Sequence, residues 1–158
     1  MAGGPIFPFS AVANDTTGQI TIGTHVGSAR NFEGMRVADA STLSANRTFN
    51  LLFAMPVGSL PSGQLKLQVW ATANATSGNL VLNPQWALSN SYDSVSLNDE
   101  GNMSAITFST AHVIVEQTIS LDAITPTADS ILVMNLIVVD ASTTVAAVST
   151  FQAMLIWE

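Results

Sequence analysis

Apolar and polar residues alternate with a period of two over most of this chain, and that pattern limits the fold more than any other feature. In residues 47–54, for example, Phe49, Leu51 and Phe53 fall on one side of an extended chain. Such alternation is typical of a β-strand with one buried face. Eight runs of this kind, separated by turn-forming residues, cover residues 18–24, 47–54, 65–70, 80–86, 105–109, 113–121, 131–139 and 145–157.

Eight strands without a convincing amphipathic helix predict an all-β protein, a two-sheet antiparallel β-sandwich. An eight-stranded jelly roll is the most economical arrangement, and a Greek-key sandwich of another strand order fits the same pattern. Residues 33–43 are the one segment with helical character, enough for one or two turns. A length of 158 residues suits a single domain, which we place at residues 18–158.

Residues 1–17 differ from the rest of the chain. Two prolines, two glycines, Phe7 and Phe9 predict an extended N-terminal arm. Exposing two phenylalanines on a free arm would be unfavourable. We therefore expect the arm to lie on its own sandwich or on a neighbouring subunit.

The last two predicted strands are apolar on both of their sides. In the final strand, Met154 and Ile156 oppose Phe151 and Leu155. A strand that is apolar on both sides is covered on both sides. One side meets the facing sheet, so the other must contact the arm or another subunit. This pattern predicts a homo-oligomer, with Met154 and Ile156 among its interface residues.

Trp70 is the most informative aromatic residue. It shares a strand face with Lys66 and Gln68, opposite the apolar stripe of Leu65, Leu67 and Val69, so we expect it on the outer face of a sheet. Three interpretations are open: a subunit contact, a sugar-stacking platform, or a bend that turns the ring inward. We favour the first, because tryptophan is enriched at the centres of interfaces. Phe7 and Phe9 complete the predicted interface set.

The charge of the chain argues against two classes of partner. Charged residues make up 9% of the sequence and the net charge is −7, whereas about 25% charged residues is typical. Nucleic acid and anionic membranes both require clustered basic residues, so neither is expected as a partner. No window reaches the ~20 consecutive apolar residues of a membrane helix.

Nothing in the sequence indicates catalysis. There is no cysteine, and His25 and His112 are the only histidines. His112 and Glu116 would lie roughly 13 Å apart on one strand, too far to share a metal ion. No nucleophile elbow or phosphate-binding loop is present, and Asp99 and Glu100 are adjacent turn residues rather than a catalytic pair. We expect a non-enzymatic protein without metal or cofactor.

Several segments carry a resemblance to a known group of proteins. Residues 53–56, 63–70, 73–82 and the closing region from Ala128 to Glu158 resemble β-sandwich, jelly-roll-like structural domains of tailed bacteriophage virion proteins. The likeness covers about the last two-thirds of the chain and concerns turns and strands. The arginine and further aspartates usual near the closing strands of those domains are not evident here. The resemblance implies a fold and a virion setting, with no catalytic residue.

Three hypotheses about function follow. The leading one is a capsid decoration or cement protein, a trimer that contacts itself and the major capsid protein or another virion protein. The second is a receptor- or glycan-binding module of a phage tail fibre or spike, and the third is a cellular carbohydrate-binding β-sandwich. Because the N-terminus has neither a basic region nor a continuous apolar stretch, we expect no export signal and a location in the virion.

Overall fold

The computed structural model describes residues 5–26, 31–56, 63–89, 96–121 and 130–158. The β-strands in these ranges are Ser10–Asn14 (β1), Ile20–Val26 (β2), Asn31–Val37 (β3), Arg47–Ala54 (β4), Leu65–Ala73 (β5), Asn79–Leu80 (β6), Leu82–Ser89 (β7), Asn98–Asp99 (β8), Ile106–Thr107 (β9), Val115–Ser120 (β10), Ile131–Val138 (β11) and Ser149–Trp157 (β12). The helical segments described are two three-residue 3-10 turns, Ala40–Thr42 and Asp140–Ser142. None of the helices in the described ranges has the length and hydropathy to cross a membrane.

Ten of these strands form two antiparallel sheets that pack face to face. The first sheet has the order β1-β4-β11-β7-β8 and the second has the order β10-β5-β12-β3-β2, while β6 and β9 form a short separate ribbon. Consecutive strands therefore often lie in different sheets, as in a jelly roll. The prediction of an all-β, two-sheet antiparallel sandwich is confirmed. Three strands, β1, β3 and β8, are additional to the eight predicted runs.

The core lies between the two sheets and is built by the alternating apolar residues. In β4, Phe49, Leu51 and Phe53 are fully buried, as their shared parity predicts. Phe49 of the first sheet meets Phe151 of the second in an edge-to-face contact, with ring centroids 5.4 Å apart. Trp86 is also fully buried in this core. The edge-to-face geometry adds a quadrupolar attraction to the burial of both rings.

The prediction of helical turns within residues 33–43 is wrong for the first half of that segment. Residues 31–37 form β3, which pairs with β2 along its length and with β12 at residues 35–37. Met35 and Val37 are buried while Arg36 between them is partly exposed, which is a strand pattern. Only Ala40–Thr42 turns as a 3-10 helix, with the side chain of Asp39 capping Ser41. Tertiary pairing on both sides of β3 overrides the weak helical preference.

Much of the predicted N-terminal arm belongs to the sandwich. Residues 10–14 are β1, an edge strand of the first sheet that pairs with β4, and Ile6 forms a bridge with Leu155 of the second sheet. The segment thus contacts both sheets of its own domain, and a domain boundary at residue 17 is too late. The short, small side chains of Ser10 to Asn14 gave too weak an alternation to identify a strand.

The turn between β1 and β2 is held by Asp15. Its carboxylate accepts hydrogen bonds from the hydroxyl and the backbone N–H of Thr17, at 2.6 and 2.8 Å, and from the backbone N–H of Ile20 at 2.9 Å. Arg47 lies 3.6 Å from it. The hydrogen bonds, led by that of the Thr17 hydroxyl, hold the pKa of Asp15 well below its ordinary value of 3.8.

This network predicts a pH dependence of stability. Because the pKa of Asp15 is lowered on folding, its contribution is complete above about pH 4 and is lost as the pH falls below that value towards the folded pKa. The difference in free energy of unfolding between wild type and Asp15→Asn should therefore shrink from about pH 6 to about pH 2. Urea unfolding at several pH values measures it. The exposed neighbour Thr16→Ala is the control and should give a difference that does not change with pH.

Candidate functional site

The outer faces of the two sheets differ in chemistry. On the first sheet, Leu52, Val133 and Ile131 lie on the outer face and are half-buried. The outer face of the second sheet is largely polar and carries one tryptophan. We call it the Trp70 face, formed by Thr21, Gly23, Gly34, Arg36, Lys66, Gln68, Trp70, Thr72, Glu116, Thr118, Ser120, Thr150, Gln152, Met154 and Ile156.

Trp70 points away from the core, as the sequence predicts, and its ring is half-buried. The indole N–H donates to a carboxylate oxygen of Glu116, the residue directly opposite on β10, at 3.0 Å. The other oxygen of Glu116 accepts a hydrogen bond from the side-chain amide of Gln68 at 2.5 Å. Both oxygens of Glu116 therefore position neighbours, and the Trp70 ring is held in place on the sheet. An inward bend, one of the three interpretations, is wrong.

One row of residues runs across the strands from Trp70, and the side chains in it become small. Trp70 pairs with Gln152 on β12, and the row continues through Gly34 on β3 and Gly23 on β2, which pair with each other. The side chain of Gln152 donates to the backbone oxygen of Glu33 at 2.7 Å, which keeps it low on the sheet. Gly34 and the tethered Gln152 leave a flat floor beside the tryptophan, and the Arg36 side chain lies over Gly23 at the far end of the row.

The close packing of β3 against β12 leaves room only for glycine at position 34. A Cβ on Gly34 would lie 2.3 Å from the backbone oxygen of Phe151 and 3.3 Å from Cγ of Gln152. A Cβ on Gly23 would meet only the side chain of Arg36, at 3.2 Å. A lone glycine inside a strand often marks a close approach of another backbone. That signal was present in the sequence at Gly34, but the helical interpretation of residues 33–43 obscured it.

A cleft opens beside this row where β3 diverges from β12. Its volume is about 360 Å³ and its lining is mainly apolar, with Phe7 and Ile22 at its mouth and Gly34 and Gln152 shared with the flat row. Volumes of roughly 300–1,000 Å³ are usual for small-molecule sites. Met35, Phe151 and Ala153 face the core, and Ile22 pairs with Met35 on the same side of the sheet, so the cleft lies mainly on the inner side of the second sheet, opposite the Trp70 face.

The next row holds polar groups that the fold leaves unsatisfied. Thr72, Thr150 and Arg36 are neighbours on β5, β12 and β3. The hydroxyls of both threonines and Nε of Arg36 are buried without a hydrogen-bond partner in the described part of the chain. Buried polar groups are nearly always paired. Three of the six buried, unpaired side-chain atoms in the described residues lie in this row.

The remaining predicted interface residues are distributed over two places. Phe7 and Phe9 are 55% and 58% exposed on the N-terminal segment. Met154 and Ile156 share the Trp70 face, but Met154 is only 5% exposed. The apolar outer side of β12 is therefore partly shielded within a single chain, and almost none of Met154 is accessible to a partner.

The described residues contain no group of three histidine, aspartate or glutamate side chains placed to hold a metal ion. His112 precedes β10 in a left-handed backbone conformation, with φ of 61°. It therefore does not share a strand with Glu116, contrary to the arrangement considered from the sequence.

Comparison with known proteins identifies the fold. Among solved structures, the chain is similar to the CBM22-2 xylan-binding domain of Xyn10C from Paenibacillus barcinonensis, with a TM-score of 0.53, 8% identity, and coverage of 95% of this chain and 92% of that one. It is also similar to TmCBM27, a carbohydrate-binding module studied for specific mannan recognition, with a TM-score of 0.52, 8% identity, and coverage of 100% and 97%. At such identities the likeness establishes a common fold alone.

A phage protein is also among the similar structures. The tailspike protein 4 enzymatically active domain of bacteriophage CBA120 has a TM-score of 0.45 and 13% identity, and the match covers 94% of this chain and 19% of that one. A likeness at that level carries no argument about function. No family model matches the sequence, and no curated protein matches it.

Proposed function

We propose that this chain is a carbohydrate-binding β-sandwich that holds a glycan on the Trp70 face. The observation that carries the proposal is a half-exposed tryptophan, fixed through its indole N–H by Glu116, on a sheet face that is otherwise polar. A partly exposed indole contributes little to the stability of the fold, so packing within the chain does not account for its position. A ligand that stacks on the ring explains both its exposure and its fixed position.

The chemistry of the face suits a sugar. One side of a pyranose ring presents C–H groups, which pack against the electron-rich face of an indole. The hydroxyl groups at the rim of the sugar need donors and acceptors close by; Gln68 precedes Trp70 by two residues on β5, and Gln152 lies opposite Trp70 on β12. The flat floor at Gly34 leaves room for a further sugar unit along the row, up to the Arg36 side chain over Gly23. The fold shared with a xylan-binding domain and a mannan-recognising module supports this proposal.

We infer binding without cleavage. Glycoside hydrolysis uses two carboxyl groups about 5–9.5 Å apart. Glu116 is engaged by Trp70 and Gln68, and Glu158, which pairs with Lys66 near the end of β12, lies roughly 20 Å from it by strand spacing. The two carboxylates are too far apart to act on one glycosidic bond.

Replacing Trp70 by alanine should weaken glycan binding at least about tenfold, because stacking on an aromatic ring typically contributes this much or more. Plant, algal and bacterial polysaccharides are screened on a glycan array, and the best ligand is then titrated by calorimetry. Trp157→Phe is the matched control, since Trp157 is 8% exposed and belongs to the core. Equal affinities for the two variants, or no ligand in the whole screen, would refute the proposal.

The role in a virus particle and the homo-oligomer remain predictions. One feature favours association: the exposed apolar residues Phe7, Phe9, Val12 and Ile22 lie near the edge where β1 and β2 meet. Such a row is costly in water and is typical of a surface that a partner covers. Glycan binding on the Trp70 face and association through this edge would not exclude each other.

A further inference from the structure

Arg36 is a basic residue on the Trp70 face, and no acidic residue in the described part of the chain pairs with it. Arg47 and Lys66, by contrast, lie close to Asp15 and Glu158. Within the ranges that the structure describes, Arg36 makes no ion pair or hydrogen bond, and its Nε is buried and unpaired. In a chain with a net charge of −7, a guanidinium with no carboxylate beside it calls for an explanation.

The Arg36 side chain lies over the open row. Its Cδ and Nη1 are 3.2 and 3.7 Å from the position that a Cβ would take on Gly23. Gly23 stands in the row that begins at Trp70, three strand spacings away, or roughly 14 Å. The row therefore has an aromatic platform at one end, an open floor between, and a guanidinium at the other end.

Two threonine hydroxyls beside Arg36, those of Thr72 and Thr150, are also unpaired within the described ranges. Thr150 pairs with Arg36 on one side and with Thr72 on the other. Thr72 and Thr150 are 2% and 0% exposed, and neither Oγ1 has a partner among the described residues. An unmade hydrogen bond on a buried group destabilises a fold. Three other buried polar atoms of the described residues, Asn83 Oδ1, Ser149 Oγ and Trp157 Nε1, are also unpaired but lie outside this row.

We propose that the glycan held on the Trp70 face is acidic and that Arg36 binds the carboxylate of a uronic acid residue. This inference rests on the proposed glycan binding and adds the charge and class of the ligand. A guanidinium presents a planar fork of donors that fits a carboxylate with two parallel hydrogen bonds.

The overall negative charge does not prevent this contact. Glu116, the carboxylate beside Trp70, lies four strand spacings from Gly23, or roughly 19 Å. At physiological ionic strength the Debye length is about 8 Å, so repulsion from that distance is largely screened. The local pairing with Arg36 then decides whether an acidic sugar is preferred over a neutral one.

The test uses nuclear magnetic resonance, because the indole N–H of Trp70 and the Nε–H of Arg36 each report on one end of the row. The full chain is titrated at physiological salt with sodium glucuronate, with glucose as the matched neutral sugar, and with sodium acetate as a carboxylate without a sugar. The Nε–H of Arg47, which donates to Gln19 at 2.8 Å, is the internal reference. Monosaccharides avoid any dependence on the linkage of a polymer.

We expect glucuronate to shift both the Trp70 and the Arg36 signals and to bind about tenfold more tightly than glucose, which should shift Trp70 alone. In Arg36→Gln the two sugars should bind alike, with the Trp70 response retained.

Each other outcome is decisive. If Trp70 responds to both sugars with equal affinity while Arg36 does not move, the acidic-glycan inference fails and glycan binding stands. If acetate shifts Arg36 as strongly as glucuronate does, the site takes simple anions and the uronic acid assignment is wrong. If neither signal responds to any sugar, both the inference and the proposed function are overturned.

Discussion

Replacing Phe49 by alanine is expected to lower the free energy of unfolding by about 4 kcal/mol. Phe49 is fully buried at the centre of β4, and its ring meets Phe151 of the opposite sheet at 5.4 Å. Truncation removes the burial of a whole ring, opens a cavity between the sheets and abolishes the edge-to-face contact. For a domain of this size, the melting temperature should fall by roughly 12 °C.

Chemical denaturation and thermal melting, followed by circular dichroism, measure this loss. Phe7→Ala is the matched control, because the same ring is 55% exposed at that position and its removal should cost about 0.5 kcal/mol or less. A loss of less than about 1 kcal/mol in Phe49→Ala would mean that the two sheets are not joined through this pair.

The fold followed from the sequence where burial repeats every second residue. The predicted run 47–54 matches β4 in full, and 131–139 matches β11 to within one residue. In β4 the core-facing side is apolar and the other side is mixed, so the period of two is visible, whereas β11 is apolar on both sides apart from Asn135 and shows as an apolar run of strand length. β1 was missed because Val12 is the one large apolar residue in Ser10–Asn14, and it points outwards at 55% exposure. An edge strand that buries small alanines leaves little signal.

β3 was missed for a different reason. Its sequence, Asn31–Val37, places Glu33 on the same parity as Met35 and Val37, so the apolar alternation breaks at its start. Strand pairing on both sides then determines its conformation. Pairing between distant segments is not visible in one sequence, and β-preference depends strongly on such context.

Of the candidate site, the sequence predicted one residue and missed its surroundings. The shared parity with Lys66 and Gln68 placed Trp70 outside the core, as observed. Its partner Glu116 is 46 residues further along the chain, and Arg36 is separated from Thr150 by even more. These neighbours become adjacent only through the strand order β10-β5-β12-β3-β2, which local patterns do not determine.

Because of this strand order, Gly34 affects both the stability of the fold and the proposed glycan site. Gly34→Ala should lower the free energy of unfolding by about 3 kcal/mol, because its Cβ would lie 2.3 Å from the backbone oxygen of Phe151 and neither strand can move without disturbing the sheet. The melting temperature should fall by roughly 9 °C. The effect is opposite to the small gain that alanine usually brings by restricting the unfolded chain.

Gly23→Ala separates this steric effect from the general loss of a glycine. Gly23 is the direct strand partner of Gly34, but its Cβ would meet only the flexible Arg36 side chain at 3.2 Å, which can rotate away. We expect a change within about 1 kcal/mol for Gly23→Ala, measured by the same denaturation experiment. If the two variants were equally stable, the close approach of β3 to β12 would be wrong, and with it the flat floor beside Trp70. If both variants lost about 3 kcal/mol of unfolding free energy, glycine would be needed at both positions for its backbone conformation and not for the space above the row.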